Sequence, residues 1–532
     1  MSNYGAKIFN NAVSSLWANQ ALLANTSNNI ANVNTEGYAR RTLTLQTRLD
    51  SGRGGGLNLG NGVEIGSLNR ISDQFLNGAA RQSTGNFNNH KTQGEYLQRV
   101  EAMFDLTGNN NTIGSTLSKF YDALNDLSTN PASLELRANF IDTVEDVATA
   151  IRQTYQGIAD LQAEADSRLA VEIDNVNSFT AQIAEFNEKI KSREKSGDVA
   201  ADERDRRDQL LEELSERISF NHVENSDGTV TISLPNGFPL VSGGNSRELE
   251  VTRDPSFGGG DIPPSLNGEA LSYVVYDYDQ GGGNAHIDLT QYLKDGSGTI
   301  GGLLTMRGHA DPANTSAFEA DGELVDMAAR VEAITRELLT TVNATYFASD
   351  GGAPPSSTAG DLEGNPPDVF GLFTFDGAPV AGLPDDAALA GTGIDSFSML
   401  IQGAVTDPTR VAAARDTGDG FAEGDASNLN AIAELQDQTM SVDAGNYSGT
   451  GSLSEIYNQL VGKVGNLSSR SQVDSSVAQD NLITAQNRRD QVQGVSLDEE
   501  FANLIKHQKG FEASSRLIRL GSELLDTIVG LI

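Results

Sequence analysis

The sequence predicts an α+β multidomain fold in which terminal coaxial helices and a long helical shaft carry inserted β-rich outer domains. Three observations predict it. Residues 497–532 keep a sustained four-three apolar step, the pattern of a helix that lies along another helix. All 14 prolines fall between Pro131 and Pro408, so both ends of the chain lack the strongest helix breaker. At residue 219 the apolar period switches to alternation, the spacing of a half-buried strand.

The C-terminal seam runs through Leu497, Phe501, Leu504, Gln508, Phe511, Ser515, Ile518, Ser522, Leu525, Val529 and Ile532. A stripe this narrow cannot centre a globule and needs a partner helix. The other end supplies one: Phe9, Ala12, Leu16, Asn19, Leu23, Thr26, Ile30 and Val33 keep the same step. Two segments more than 450 residues apart therefore read as halves of one bundle; the alternative is that each packs on its own local core. Leu16, Leu23, Ile30, Val33, Leu497, Phe501, Leu504, Phe511, Ile518, Leu525 and Val529 form the candidate self-assembly seam. Its polar members Asn19, Gln508, Ser515 and Ser522 either set register at some cost in stability or face a water-filled lumen.

Between the ends, residues 34–70 break the helical period, with alternation at Thr42 to Leu45 and a glycine-rich loop, which predicts a hairpin-like extension over 41–70. Helical patterning returns with Ile113, Leu117, Phe120, Leu124 and Leu127, then with Ile141, Val144, Ala148, Ile151, Tyr155 and Ile158. Leu169, Ile173, Val176, Ile183, Phe186 and Ile190 continue it into the charged run ADERDRRDQLLEELSERI. Turns at 225–228 and 235–237 bracket a strand over 229–234, with further strands at 272–278 and 286–289. Leu324, Met327, Val331, Ile334 and Leu338 mark another helix, and Leu453, Tyr457, Leu460, Val464 and Leu467 the last long one before the C-terminal seam. Residues 350–440 are rich in Gly, Pro and acidic side chains, with Arg410 and Arg415 their only basic ones. The expected map is therefore 1–40 and 497–532 as terminal coiled-coil helices, and 41–218, 301–349 and 441–496 as the shaft. Residues 219–300 are expected as an inserted β domain, and 350–440 as a second outer acidic domain or loop excursion.

At 532 residues the chain exceeds one core. A net charge of −36 argues against nucleic acid, which is held by cations that neutralise phosphates, and against an anionic membrane surface. No cysteine means neither disulfides, thiol catalysis nor zinc–thiolate sites. No apolar run reaches the ~18 residues of a membrane span, so no membrane insertion is expected; the first thirty residues carry no unbroken apolar signal core. That pattern fits the cytoplasm, or export by a route that reads an uncleaved N-terminus.

Little suggests catalysis. Histidines 90, 222, 286, 309 and 507 are scattered without a ligand or base at helical spacing, and neither a phosphate loop, a nucleophile elbow nor a dinucleotide turn is found. One loop places Asp277, Asp279, Gly282 and Asp288 at positions 1, 3, 6 and 12 of a calcium-loop pattern. Position 5 is Gly281, position 12 lacks Glu and no helix precedes it, so a glycine-rich turn with solvated carboxylates is the better reading. No enzyme activity, cofactor or metal is expected; a secreted enzyme or calcium-binding adhesin is the alternative from another class.

The passage SNNIANVNTEGYARR, Ser27 to Arg41, resembles the N-terminal signature of bacterial flagellar axial proteins, through Ser27, Asn28, Asn29, Ala31, Asn32, Thr35, Gly37 and Tyr38. GVSLDEEFANLIKHQKGFEASSRLI, Gly494 to Ile518, resembles the C-terminal signature of the hook-associated protein 1 family of that group. The internal runs Arg204 to Ile218, GGLLTMRG at 301–308 and GDASNLNAIAELQD at 424–437 resemble the same family. Phe511 stands where Tyr is common, Ser496 where Asn is common, and 350–420 has no assigned counterpart. The resemblance implies a structural subunit exported unfolded by the flagellar type III apparatus and polymerised at the distal end of the hook, outside the cell. It implies as partners copies of the chain in a ring, the hook protein, the next hook–filament junction protein, and a dedicated export chaperone at the C-terminal end. Hook protein or flagellin is the nearest alternative.

Overall fold

Where proline is missing the chain runs as long helix. The structure, a computed structural model, describes residues 2–48, 60–104, 111–253, 265–277, 286–309, 316–347, 358–380, 396–416, 420–445 and 447–529; at 2–6, 277, 286, 524, 525, 528 and 529 it describes the backbone alone. In order, α1 (Ser2–Ala31) leads into the strands β1 (Arg41–Thr47) and β2 (Val63–Arg70). Helices α2 (Gln74–Phe104), α3 (Ile113–Thr129), α4 (Leu134–Lys195) and α5 (Ala201–Arg217) follow. Short strands come next: β3 (Asn221–Glu224), β4 (Val230–Ser233), β5 (Pro239–Ser242), β6 (Asn245–Ser246), β7 (Leu249–Thr252), β8 (Tyr273–Asp277) and β9 (His286–Asp288). Then come α6 (Thr290–Lys294), α7 (Gly298–Arg307) and α8 (Glu323–Glu337), a π turn at Leu338–Val342 and α9 (Asn343–Tyr346). The chain ends through β10 (Ala359–Gly360), β11 (Phe373–Phe375), β12 (Ile401–Gly403), β13 (Ala414–Arg415), α10 (Ser427–Ala433), β14 (Met440–Ala444), β15 (Tyr447–Gly451), α11 (Leu453–Gln493) and α12 (Leu497–Val529).

Two compact units divide these elements. The first comprises Met1–Gly85, Asn177–Arg247 and Gln479–Ile532; the second, Asn86–Val176 and Glu248–Ala478. The expected β domain over 219–300 is shared between them, because its strands build two separate sheets. One has the order β3-β4-β5-β6 and falls in the first unit, and the other, β7-β8-β9, falls in the second.

In the first unit β1 and β2 pair antiparallel from Arg41 opposite Arg70 to Thr47 opposite Val63, with a bulge after Thr44. This hairpin rests on α1 through Gly62. Its φ of +87° favours glycine, a Cβ there would run into the Ser14 side chain, and the next amide, Val63 N–H, donates to Ser14 Oγ at 3.2 Å. Ile183, Ile190, Leu210, Leu214, Ile232 and Val241 are buried where α4, α5 and the small sheet supply them.

The second unit holds one large apolar core. The stripes at Leu117, Phe120 and Leu124 on α3, Val144, Ile151 and Ile158 on α4, and Leu324, Val331 and Ile334 on α8 are all buried in it, as helical spacing requires. Segment 358–440 is stitched into the same core by Phe373, Phe375, Phe397, Ile401, Val411 and Leu429. Its acidic, Gly- and Pro-rich composition reads as a second outer domain or a loop excursion; these widely spaced apolar side chains nonetheless lie in the core. Buried polar groups fasten the irregular parts. Glu332 accepts from the Phe397 and Ser398 amides, both at 2.9 Å, and Asn343 from those of Leu372 and Phe373. Asp166 and Arg307 form a buried ion pair; Asp166 also accepts from Ser272 N–H at 3.1 Å, and Arg307 donates to the Ser272 carbonyl at 2.9 Å.

Candidate functional site

Helix α1 ends in a turn where side-chain amides reinforce backbone hydrogen bonds such as Thr35 N–H to the Asn32 carbonyl at 3.0 Å. Asn32 Nδ2 donates to the Asn28 carbonyl at 2.9 Å, and its Oδ1 accepts from the Thr35 hydroxyl at 3.2 Å. Gly37, at φ +76°, reverses the chain over the Cβ of Gln209. Tyr38 then reaches back, its hydroxyl 2.7 Å from Asn29 Oδ1 and 3.0 Å from Asn28 Oδ1; burial pushes its ionisation up, so it stays a donor. Asn29 is the hub: it accepts from Arg41 N–H at 3.1 Å and donates to the Arg41 carbonyl at 2.9 Å. Ser27 and Ala31 are exposed.

The same Asn29 amide donates to Glu500 Oε2 at 3.1 Å, and both residues are buried. Glu500 lies on α12 and pairs with Arg40 at 2.7 Å, while Arg40 N–H donates to the Gln493 carbonyl at 3.0 Å. Arg41 turns the other way, to Asp202 at 2.6 Å and Asp205 at 2.8 Å on α5. Asp205 also holds Arg70, opposite Arg41 on the hairpin, at 2.6 Å, and Asp208 holds Arg70 at 2.7 Å with Arg81 at 3.7 Å. The root of the hairpin is thus clamped between two carboxylates one helical turn apart. Burial opposes ionisation of Asp208, but Arg70, Arg81 and Arg207 hold it below the usual carboxylate range.

Helices α1 and α12 run antiparallel. Phe9 lies beside Gly521, Ser15 beside Ser514 with hydroxyls 2.9 Å apart, Asn19 beside Gly510, and Asn29 beside Glu500. Closest approach follows small and polar residues: Ala12, Thr26 and Asn29 are buried on one helix, and Glu500, Ser514 and Gly521 on the other. Among the seam residues, Leu16, Leu23, Ile30, Val33, Leu504, Phe511 and Ile518 are half-buried, and Leu497 and Phe501 are 41% and 49% exposed. Leu525 and Val529 lie outside the residues whose side chains are described. Asn19 and Ser515 are half-buried; Gln508 and Ser522 are exposed. Sequence reasoning missed Glu500, Gly510, Ser514 and Gly521. A row of small residues one position off an apolar seam is the signal that marks such a close approach.

Among the described residues no group of His, Asp and Glu is placed to hold a metal, and no helix is long and apolar enough to cross a membrane. Of the calcium-loop pattern, Asp279 and Gly282 lie outside the described residues, as does the side chain of Asp277. Asp288 accepts from Thr290 N–H, at the start of α6, at 2.8 Å.

Family comparisons match three separate stretches. Residues 97–348 match the model described as flagellar hook-associated protein FlgK helical domain; 9–38 match the flagella basal body rod protein, and 491–531 the C-terminal model of the basal body rod FlgEFG proteins. Along 99% of its length the chain is 25% identical to flagellar hook-associated protein 1 of Escherichia coli and 26% identical to that of Salmonella typhimurium, covering 100% of each. Over nearly its whole length the chain is similar to flagellar hook-associated protein 1. The Bacillus subtilis relative is 23% identical over 97% of this chain. The fold resembles the flagellar hook junction protein FlgK of Burkholderia pseudomallei, with a TM-score of 0.59 over 78% of this chain and 100% of that one, at 14% identity.

These likenesses make the chain a structural component of the bacterial flagellum and not an enzyme. Its polar network draws on all three matched stretches: Asn29 and Tyr38 from the first, Asp205 and Asp208 from the middle, Gln493 and Glu500 from the last. The internal Arg–Asp run, noticed in the sequence only as a likeness, supplies the carboxylates on which the hairpin is seated.

Proposed function

We propose that this chain polymerises through its paired ends into a ring at the distal end of the hook, after type III export, and so forms the hook–filament junction outside the cell. Its partners on this reading are its own copies, the hook protein below, the next junction protein above, and an export chaperone that covers the C-terminal end beforehand. One observation carries the reading. Among the described residues the paired ends leave seven large apolar side chains in solvent: Ile8, Trp17, Leu497, Phe501, Ile505, Leu517 and Leu520. Helix α1 bears Lys7 as its single charged residue, in a chain whose net charge is −36. Exposed apolar side chains along paired helices, one of them almost without charge, are costly in water and suit burial against further copies.

Deleting residues 497–532 is expected to abolish incorporation into flagella, as read by immunoblot of sheared flagella from cells making only the truncated chain. Leu504→Ser with Phe511→Ser should act in the same direction. Incorporation of the truncated chain at the wild-type level would overturn the proposal.

A further inference from the structure

The charged cluster under the hairpin contains one titratable group that assembly leaves unused. His222 on β3 places its Nε2 2.9 Å from Arg81 Nη1 on α2. Arginine only donates, so Nε2 accepts, the imidazole is neutral and its proton sits on Nδ1. Every element packed around the ring brings charge. From α2 comes Arg81, buried and 3.7 Å from Asp208; from α5 come Asp208 and Arg207, the latter 3.9 Å from Glu224 on β3. Arg204 on α5 pairs with both Glu194 and Glu224, and Arg489 on α11 pairs with Glu212 at 2.7 Å. The carboxylates near His222, Asp208 and Glu224, are already engaged by arginines, and their pull on a positive ring is outweighed by burial and Arg81.

We propose that His222 is an acid-sensitive latch: protonation sets an imidazolium against the Arg81 guanidinium and loosens β3 from α2 and α5, the elements whose charged groups seat the hairpin. Burial first, and the Arg81 cation second, hold the imidazole down at about 4 against an ordinary 6.5. The folded state therefore prefers the neutral ring. Its stabilising contribution is full above pH 6.5, falls between pH 6.5 and 4, and changes no further below. Asp208 is held below its ordinary 3.8, so its own contribution is lost only in stronger acid. His507, lowered by burial and Lys506, lies on α12 and is the same in both proteins compared below.

The test is urea unfolding of the full chain at pH 7 and pH 5, followed by fluorescence of Trp17, the single tryptophan, which lies in the first unit. Glutamine in place of His222 offers an acceptor that does not titrate. Between the two pH values the wild-type folding constant should fall about 20-fold further than that of His222→Gln. Equal falls would overturn the latch. Should the variant fold poorly, the wild type decides by NMR with 13C-labelled histidine: one of the five resonances titrating near 4 supports it, and all five near 6.5 refute it.

Discussion

Asn29 meets the Arg41 backbone as a neighbouring strand would, accepting from its N–H and donating to its carbonyl with one carboxamide. Asp lacks the donor and Gln sets the amide one methylene too far. The bracket is buried and also contacts charged Glu500, so its loss strands polar groups in a dry site. Asn29→Ala is expected to cost the first unit about 3 kcal/mol in urea unfolding. A double-mutant cycle with Glu500→Ala should return a coupling of about 1 kcal/mol or more. From the sequence, SNNIANVNTEGYARR was legible as the end of a helical seam, a break in period from residue 34, and a family likeness. The roles of its asparagines were not, because a side chain that imitates backbone leaves no periodicity.

Among the elements, GGLLTMRG gains a physical reading. A Cβ on Gly302 would sit 2.7 Å from the Asn89 carbonyl and 2.9 Å from Thr92 Cβ, so α7 touches α2 backbone to backbone. Gly308 has φ +90° and would put its Cβ 2.7 Å from Gly322 N, whereas Gly237, at φ +94°, faces open space. Gly237→Ala should therefore cost only the strain of its backbone, about 1 kcal/mol, and Gly308→Ala about 3 kcal/mol or more. Thermal melts of the two variants check the difference: similar shifts in Tm would contradict the close crossing. The long helices were readable because proline and heptad spacing act locally. The contribution of 358–440 to the core was not, since Phe373, Phe397 and Leu429 are too far apart in sequence to show a period.

For the whole molecule, two units fastened by different buried groups imply separable stabilities. Asp166, whose burial is outweighed by Arg307 and the Ser272 hydrogen bonds, is held below the usual carboxylate range. Asp166→Asn leaves Arg307 without its counter-charge and should lower the second unit by about 3–5 kcal/mol. Calorimetry of the full chain is expected to show two transitions, one moved by Asp166→Asn and the other by Asn29→Ala. A single transition shifted equally by both would refute independent units. The expected division into four parts drew on composition, which sees neither long-range pairing nor the split of 219–300 between two sheets.

The antiparallel register of α1 and α12 brings Asn29 to Glu500, the first helix to the last, and so has a consequence for timing. A chain that emerges N-terminus first closes that loop only when nearly all of it is out, and loop closure must precede the contacts that reward it. The second unit, complete by Ala478, can settle earlier. The apolar surface of the paired ends is then shaped only once Glu500 has joined Asn29.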